Sequence, residues 1–117
     1  MQYLLLIYAD ESKFSPPSTP EENEAMLKPW NDYTQWLQDE GLMQGGDALQ
    51  PTATATSVRL ENGEPVVTDG PFAETKEQLG GYYLIEADGL DRALEAAKRC
   101  PGAQGGTIEV RPLMVFD

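Results

Sequence analysis

The run Asp69-Gly-Pro-Phe-Ala-Glu-Thr-Lys-Glu77 concentrates chemistry-bearing side chains in one short segment. Glu74 and Glu77 stand three apart, so one helical turn would put both on one face. Two neighbouring carboxylates can split their pKa values and supply an acid and a base. Lys76 between them could hold one carboxylate ionised or take an anionic substrate. Asp69 has two readings. It could act as a general base, or start the loop as an Asx-turn that accepts a backbone N–H. Asp69, Glu74 and Lys76 are thus the catalytic candidates, set against the plainer alternative of solvated loop charges.

Around them lie candidate binding residues. Pro71 biases Gly70 toward an extended backbone and stiffens the corner. Phe72 reads first as an anchor pinning the loop to the core, and second as a pocket wall. Tyr82 and Tyr83 point to opposite faces of a strand, so one packs and the other offers a phenol. Arg59 and Arg111 fall on expected strands, where a guanidinium needs a carboxylate or an anionic ligand. Their expected partners are Glu74, Glu77 or Asp69. Gly80-Gly81 lacks the Gly-Lys-Ser/Thr of a phosphate loop, and fits a bulge or a close backbone approach.

Much else is excluded. With no histidine, a Ser-His-Asp device and a histidine metal site are out, and the single Cys100 allows no intramolecular disulfide or thiolate zinc cluster. No cofactor or metal is expected. Cys100 reads as a small buried hydrophobe at a helix end. The net charge of −12 would repel a polyanion, which argues against nucleic acid and anionic membranes as partners. No apolar run approaches the roughly 20 residues a membrane span needs. The apolar start lacks a basic flank and meets Asp10-Glu11, unlike a signal peptide, so a cytoplasmic protein is expected.

The elements that must position these residues are legible in outline. A length of 117 residues predicts one domain, 1–117. Gln2–Ala9 reads as a strand apolar on both faces. Thr19 caps a helix with Pro20 at its first position, and Met26, Trp30, Tyr33 and Leu37 form the apolar stripe. Pro29 predicts a kink or break near Lys28, and Gly41 a left-handed end. Residues 42–49 read as a strand bulged at Gly45-Gly46. Residues 55–60 and 65–68 flank Asn62-Gly63, a hairpin signal. Residues 81–87 form another strand. Asp88 caps a second helix with Leu90, Ala93, Leu94 and Ala97 inward, and Pro101-Gly102 stops it. The last strand, 107–111, is expected to run on toward Phe116. This order predicts an α+β domain: a ferredoxin-like split βαβ subunit with an added hairpin and both helices on one face of the sheet. The bare second face, with aromatic and apolar side chains, predicts a homodimer.

The sequence resembles the YCII-related family, of the DGPF type. The matching residues are Met1 to Tyr8, Trp30/Tyr33/Leu37, Gly46 through Leu49-Gln50-Pro51, Val58-Arg59, Asp69 to Tyr83, and Ile108 to Pro112. The resemblance implies a dimeric α+β barrel with a cleft near the signature loop. Some relatives carry a proposed His–Asp pair, which cannot be carried over to a chain without histidine. Genes of this type lie beside sigma factors of the extracytoplasmic-function class, which implies a sigma-factor association. The favoured reading is a ligand-sensing or partner-binding module with a small-molecule cleft at 69–83. In it Phe72, Glu77, Tyr82, Tyr83, Arg59 and Arg111 bind the ligand. The alternative is a small cofactorless lyase- or isomerase-like enzyme acting on a small, partly aromatic molecule through Asp69, Glu74 and Lys76.

Overall fold

Strand β1, Gln2–Ala9, is the middle of the molecule. A computed structural model describes residues 1–116. Alternation along β1 sends Tyr3, Leu5 and Ile7 into the core, while Leu4, Leu6 and Tyr8 on the other face are half-buried. The expected burial on both faces is therefore only partial in a single chain, because no helix among the described residues covers the second face.

Helix α1, Pro20–Asp39, begins at the expected cap: Thr19 Oγ1 accepts the Glu22 N–H at 3.1 Å. Ser18 donates its N–H and hydroxyl back to Glu22. The helix runs through Pro29 unbroken. Pro29 is exposed, so water can take the carbonyl its missing N–H releases. At the far end Gly41 has φ +71°, its N–H reaches the Gln38 carbonyl, and the Leu42 N–H reaches that of Leu37. Leu37 and Leu42 are both buried there. These paired bonds satisfy carbonyls the helix leaves orphaned.

Strand β2, Met43–Ala48, follows with the predicted irregularity between Met43 and Gly45. Strands β3, Thr56–Glu61, and β4, Glu64–Asp69, form a separate two-stranded hairpin. Its turn puts Asn62 at φ 52° and Gly63 at φ 81°, as a tight primed turn requires. Strand β5, Gln78–Glu86, then returns to the main sheet.

Helix α2, Leu90–Arg99, is capped by Gly89 and not by Asp88, and no side chain bonds its first turn. Its buried stripe is Ala93, Ala96, Ala97 and Cys100, an i, i+3, i+4, i+7 set. Leu90 and Leu94 lie outside this stripe and are exposed. Small alanines let α2 approach the sheet closely. Strand β6, Thr107–Pro112, ends at Pro112, and Met114 to Phe116 stand exposed beyond it.

The four-stranded antiparallel sheet has the order β2-β5-β1-β6. Sequence neighbours are separated by inserted strands, as a split βαβ arrangement demands. Tyr33 and Leu37 of α1 and the alanines of α2 join Tyr3, Leu5, Ile7 and Ile85 in one core, so both helices cover the same face. The Tyr33 ring meets Tyr83 edge-on at 5.3 Å, and Arg99 lies over Trp36 at 4.6 Å from its centroid. Cys100 is buried, and burial pushes its thiol above the ordinary value. The radius of gyration is 16.5 Å. A compact chain of this length would have about 13 Å. The excess fits the hairpin, on which no other helix or strand packs extensively.

Candidate functional site

The hairpin and the loop after it make a shaped hollow. The tight turn pairs Glu61 with Glu64, which in turn pairs Arg59 with Val66 and Ser57 with Thr68. Alternation places Ser57, Arg59, Val66 and Thr68 on one face. Gly70 then turns the chain at φ +92°, a backbone region that disfavours other residues. Its N–H donates to the Ala55 carbonyl at 2.6 Å, and the Ser57 hydroxyl donates to the Gly70 carbonyl at 2.9 Å. These bonds bind the loop to the base of β3. Pro71 and Phe72 complete a cleft of about 500 Å³ with Ser57, Arg59, Val66 and Thr68.

Two charged side chains line this cleft, Arg59 and Glu61, and they are not ion-paired to each other. Arg92 is bonded to Glu40 and Glu95, Arg99 lies 3.5 Å from Glu95, and Arg111 lies 3.9 Å from Glu109. Among the described residues Arg59 alone of the four arginines has no carboxylate within 4 Å, although acids outnumber bases 20 to 8. The expected pairing of Arg59 and Arg111 with Glu74, Glu77 or Asp69 is therefore corrected. Arg111 sits on β6, opposite Leu4, and its nearest acid is its strand neighbour Glu109.

The signature loop itself differs from the sequence expectation. Residues 71–77 contain no helical turn, so Glu74 and Glu77 do not share a helix face. Asp69 is the last residue of β4, with no hydrogen bond to its carboxylate among the described residues, which removes the Asx-turn. Asp69, Glu74 and Lys76 are exposed and line no part of the cleft. Glu77 is tied down: its Oε1 accepts the Thr107 hydroxyl at 2.8 Å, and its carbonyl accepts that of Thr75 at 2.6 Å. Phe72 is 83% exposed, so it does not anchor the loop to the core and stands instead at the cleft wall.

The two tyrosines do diverge. Tyr83 turns to the helices, where its hydroxyl and that of Thr34 are 2.8 Å apart. Tyr82 lies on the uncovered face, donating to Asp47 Oδ2 at 2.9 Å, and this bond raises its phenol pKa. On the same face Tyr8 donates to Glu109 at 3.3 Å. Leu4, Leu6 and Leu84 lie half-buried between these polar pairs. Of the nine residues singled out from the sequence, only Arg59 and Phe72 meet in one cleft. Among the described residues, no group of three or more acidic or cysteine side chains could hold a metal ion.

The sequence has counterparts among known proteins. A model of the YCII-related domain matches residues 1–117. The chain belongs to the YCII-related family. An uncharacterised protein of Rhizobium meliloti (strain 1021) is similar to this YCII-related chain, 41% identical over 118 residues, covering 99% of this chain and 94% of the relative.

Sequence reasoning about this YCII-related protein missed Ser57, Val66 and Thr68. The signal was present. Once Asn62-Gly63 fixes a two-residue turn, the register follows by counting outward from Glu61 and Glu64. No helix among the described residues is long and apolar enough to cross a membrane.

Proposed function

We propose that this YCII-related protein is a ligand-sensing module that takes a small molecule in the cleft between the β3–β4 hairpin and residues 70–72. The observation that carries this reading is the unpaired Arg59 beside the exposed Phe72. An arginine without a carboxylate and a phenylalanine without a core neighbour are both incompletely used by the fold. A cleft of about 500 Å³ falls in the usual range for small-molecule sites. The enzyme reading draws less support, since Asp69, Glu74 and Lys76 stand outside the cleft.

In this reading the module works as a homodimer in the cytoplasm. The half-buried Leu4, Leu6 and Leu84, framed by the Tyr8–Glu109 and Tyr82–Asp47 pairs, make a face that a second copy could cover. The implied sigma-factor association would then be the output that ligand binding controls. The cleft is tested by titrating neutral and charged aromatic fragments into the isotope-labelled protein and following backbone amides. Shifts concentrated at residues 57–59 and 66–72 support it. No shift there with any fragment at millimolar concentration would remove it.

A further inference from the structure

Resting on that cleft, we infer that its ligand is an aromatic anion: a flat ring bearing a carboxylate or phosphate. The acid group is held by Arg59 and the ring lies against Phe72. The charge argument comes first. A chain of net charge −12 repels anions at long range, so an anion can dwell only where a local cation is free. Arg59 is the free cation that lines the cleft: no carboxylate among the described residues lies within 4 Å of it, Glu61 on the same strand face included. A neutral or cationic ligand would have no use for it. The planar guanidinium fork also matches the two oxygens of a carboxylate or phosphate.

The rest of the cleft selects the ring. Phe72 is 83% exposed, and burial under a flat ring would remove its apolar surface from water and allow offset stacking. Val66, directly across the hairpin from Arg59, gives an apolar floor beside the charge. Thr68 supplies a hydroxyl, while that of Ser57 is already engaged by the Gly70 carbonyl. Glu61 also lines the hollow, so the acid group must lie on the side of Arg59 away from it. The ligand is therefore oriented, acid end toward Arg59 and ring toward Phe72.

The test uses the whole chain and four probes: benzoate, phenyl phosphate, benzamide and cyclohexanecarboxylate. Amide shifts at 57–72 report binding. Benzoate or phenyl phosphate should bind, and whichever binds tighter identifies the acid group. Arg59→Gln should weaken that probe about tenfold or more, as loss of a charge-assisted hydrogen bond does. Phe72→Leu should weaken it about threefold or more while leaving cyclohexanecarboxylate unchanged. Both side chains are exposed, so both variants should keep the wild-type spectrum outside the hairpin. If benzamide binds as well as benzoate, or Arg59→Gln changes nothing, the anion class falls and the cleft stands. If no probe and no other fragment moves residues 57–72, the inference and the cleft fall together.

Discussion

The hydroxyl of Tyr33 on α1 donates to the carbonyl of Ala96 on α2 at 2.6 Å. Ala96 lies in the last turn of its helix, where carbonyls lack an intrahelical donor, since the Cys100 N–H goes to Ala97. One buried phenol thus closes one helix end and ties the two helices together. Tyr33→Phe keeps the ring and leaves the carbonyl unmet. We expect a loss of about 1–2 kcal/mol, read from urea unfolding at neutral pH.

The same residue should contribute to loss of stability at alkaline pH. Burial first, then the neighbouring Cys100 and Tyr83, push the Tyr33 phenol above its ordinary value of 10.0, and burial pushes the Cys100 thiol above 9.0. In the unfolded chain both groups ionise at their ordinary values. The unfolded state then holds fewer protons than the folded one, so stability falls as pH rises. The contribution is whole below pH 9 and erodes above it. Urea midpoints should decline from pH 9 to pH 11, and Tyr33→Phe should decline less steeply. An equal slope in the variant would assign the effect to other groups.

Thr107 fastens the signature loop to β6 through Glu77. Thr107→Val removes that bond at an exposed site, so the global cost should stay below about 1 kcal/mol. The local effect should be larger. Amide exchange at residues 74–77 should accelerate while that of β1 and β5 stays unchanged.

The uncovered sheet face gives a test of assembly. Leu6 pairs with Tyr82 on β5 and Glu109 on β6, at the middle of that face. Leu6→Lys should convert a dimer to a monomer in light scattering without loss of helical signal. A wild-type protein that is already monomeric at tens of micromolar would sink the dimer.

Local signals explain what the sequence disclosed. The cap at Thr19, the glycine at 41 and the Asn62-Gly63 turn depend on a few adjacent residues, so they were readable. The α2 stripe was misplaced because Leu90 and Leu94 outweigh alanines on any hydropathy count. The face that packs carries the small residues Ala93, Ala96 and Ala97. The loop at 70–77 has no periodicity to read. Its conformation rests on bonds to Ala55, Ser57 and Thr107, residues 13 to 30 positions distant in these pairs, which no local rule supplies. Arg59 illustrates the same limit: counting the acids predicted a partner, and the geometry of the hairpin withheld one.

The projecting hairpin has a thermodynamic consequence. A lone two-stranded ribbon is only marginally stable in water. With no helix or strand packed extensively on it, β3–β4 forms a cooperative unit that can open while the four-stranded sheet stays closed. A ligand seated on the ribbon would draw its binding energy against that small local opening equilibrium. Occupancy would hardly register in a global melt, yet would slow exchange in the ribbon's amides. Were a ligand to bind there, it would order or release one limb without disturbing the body that supports it.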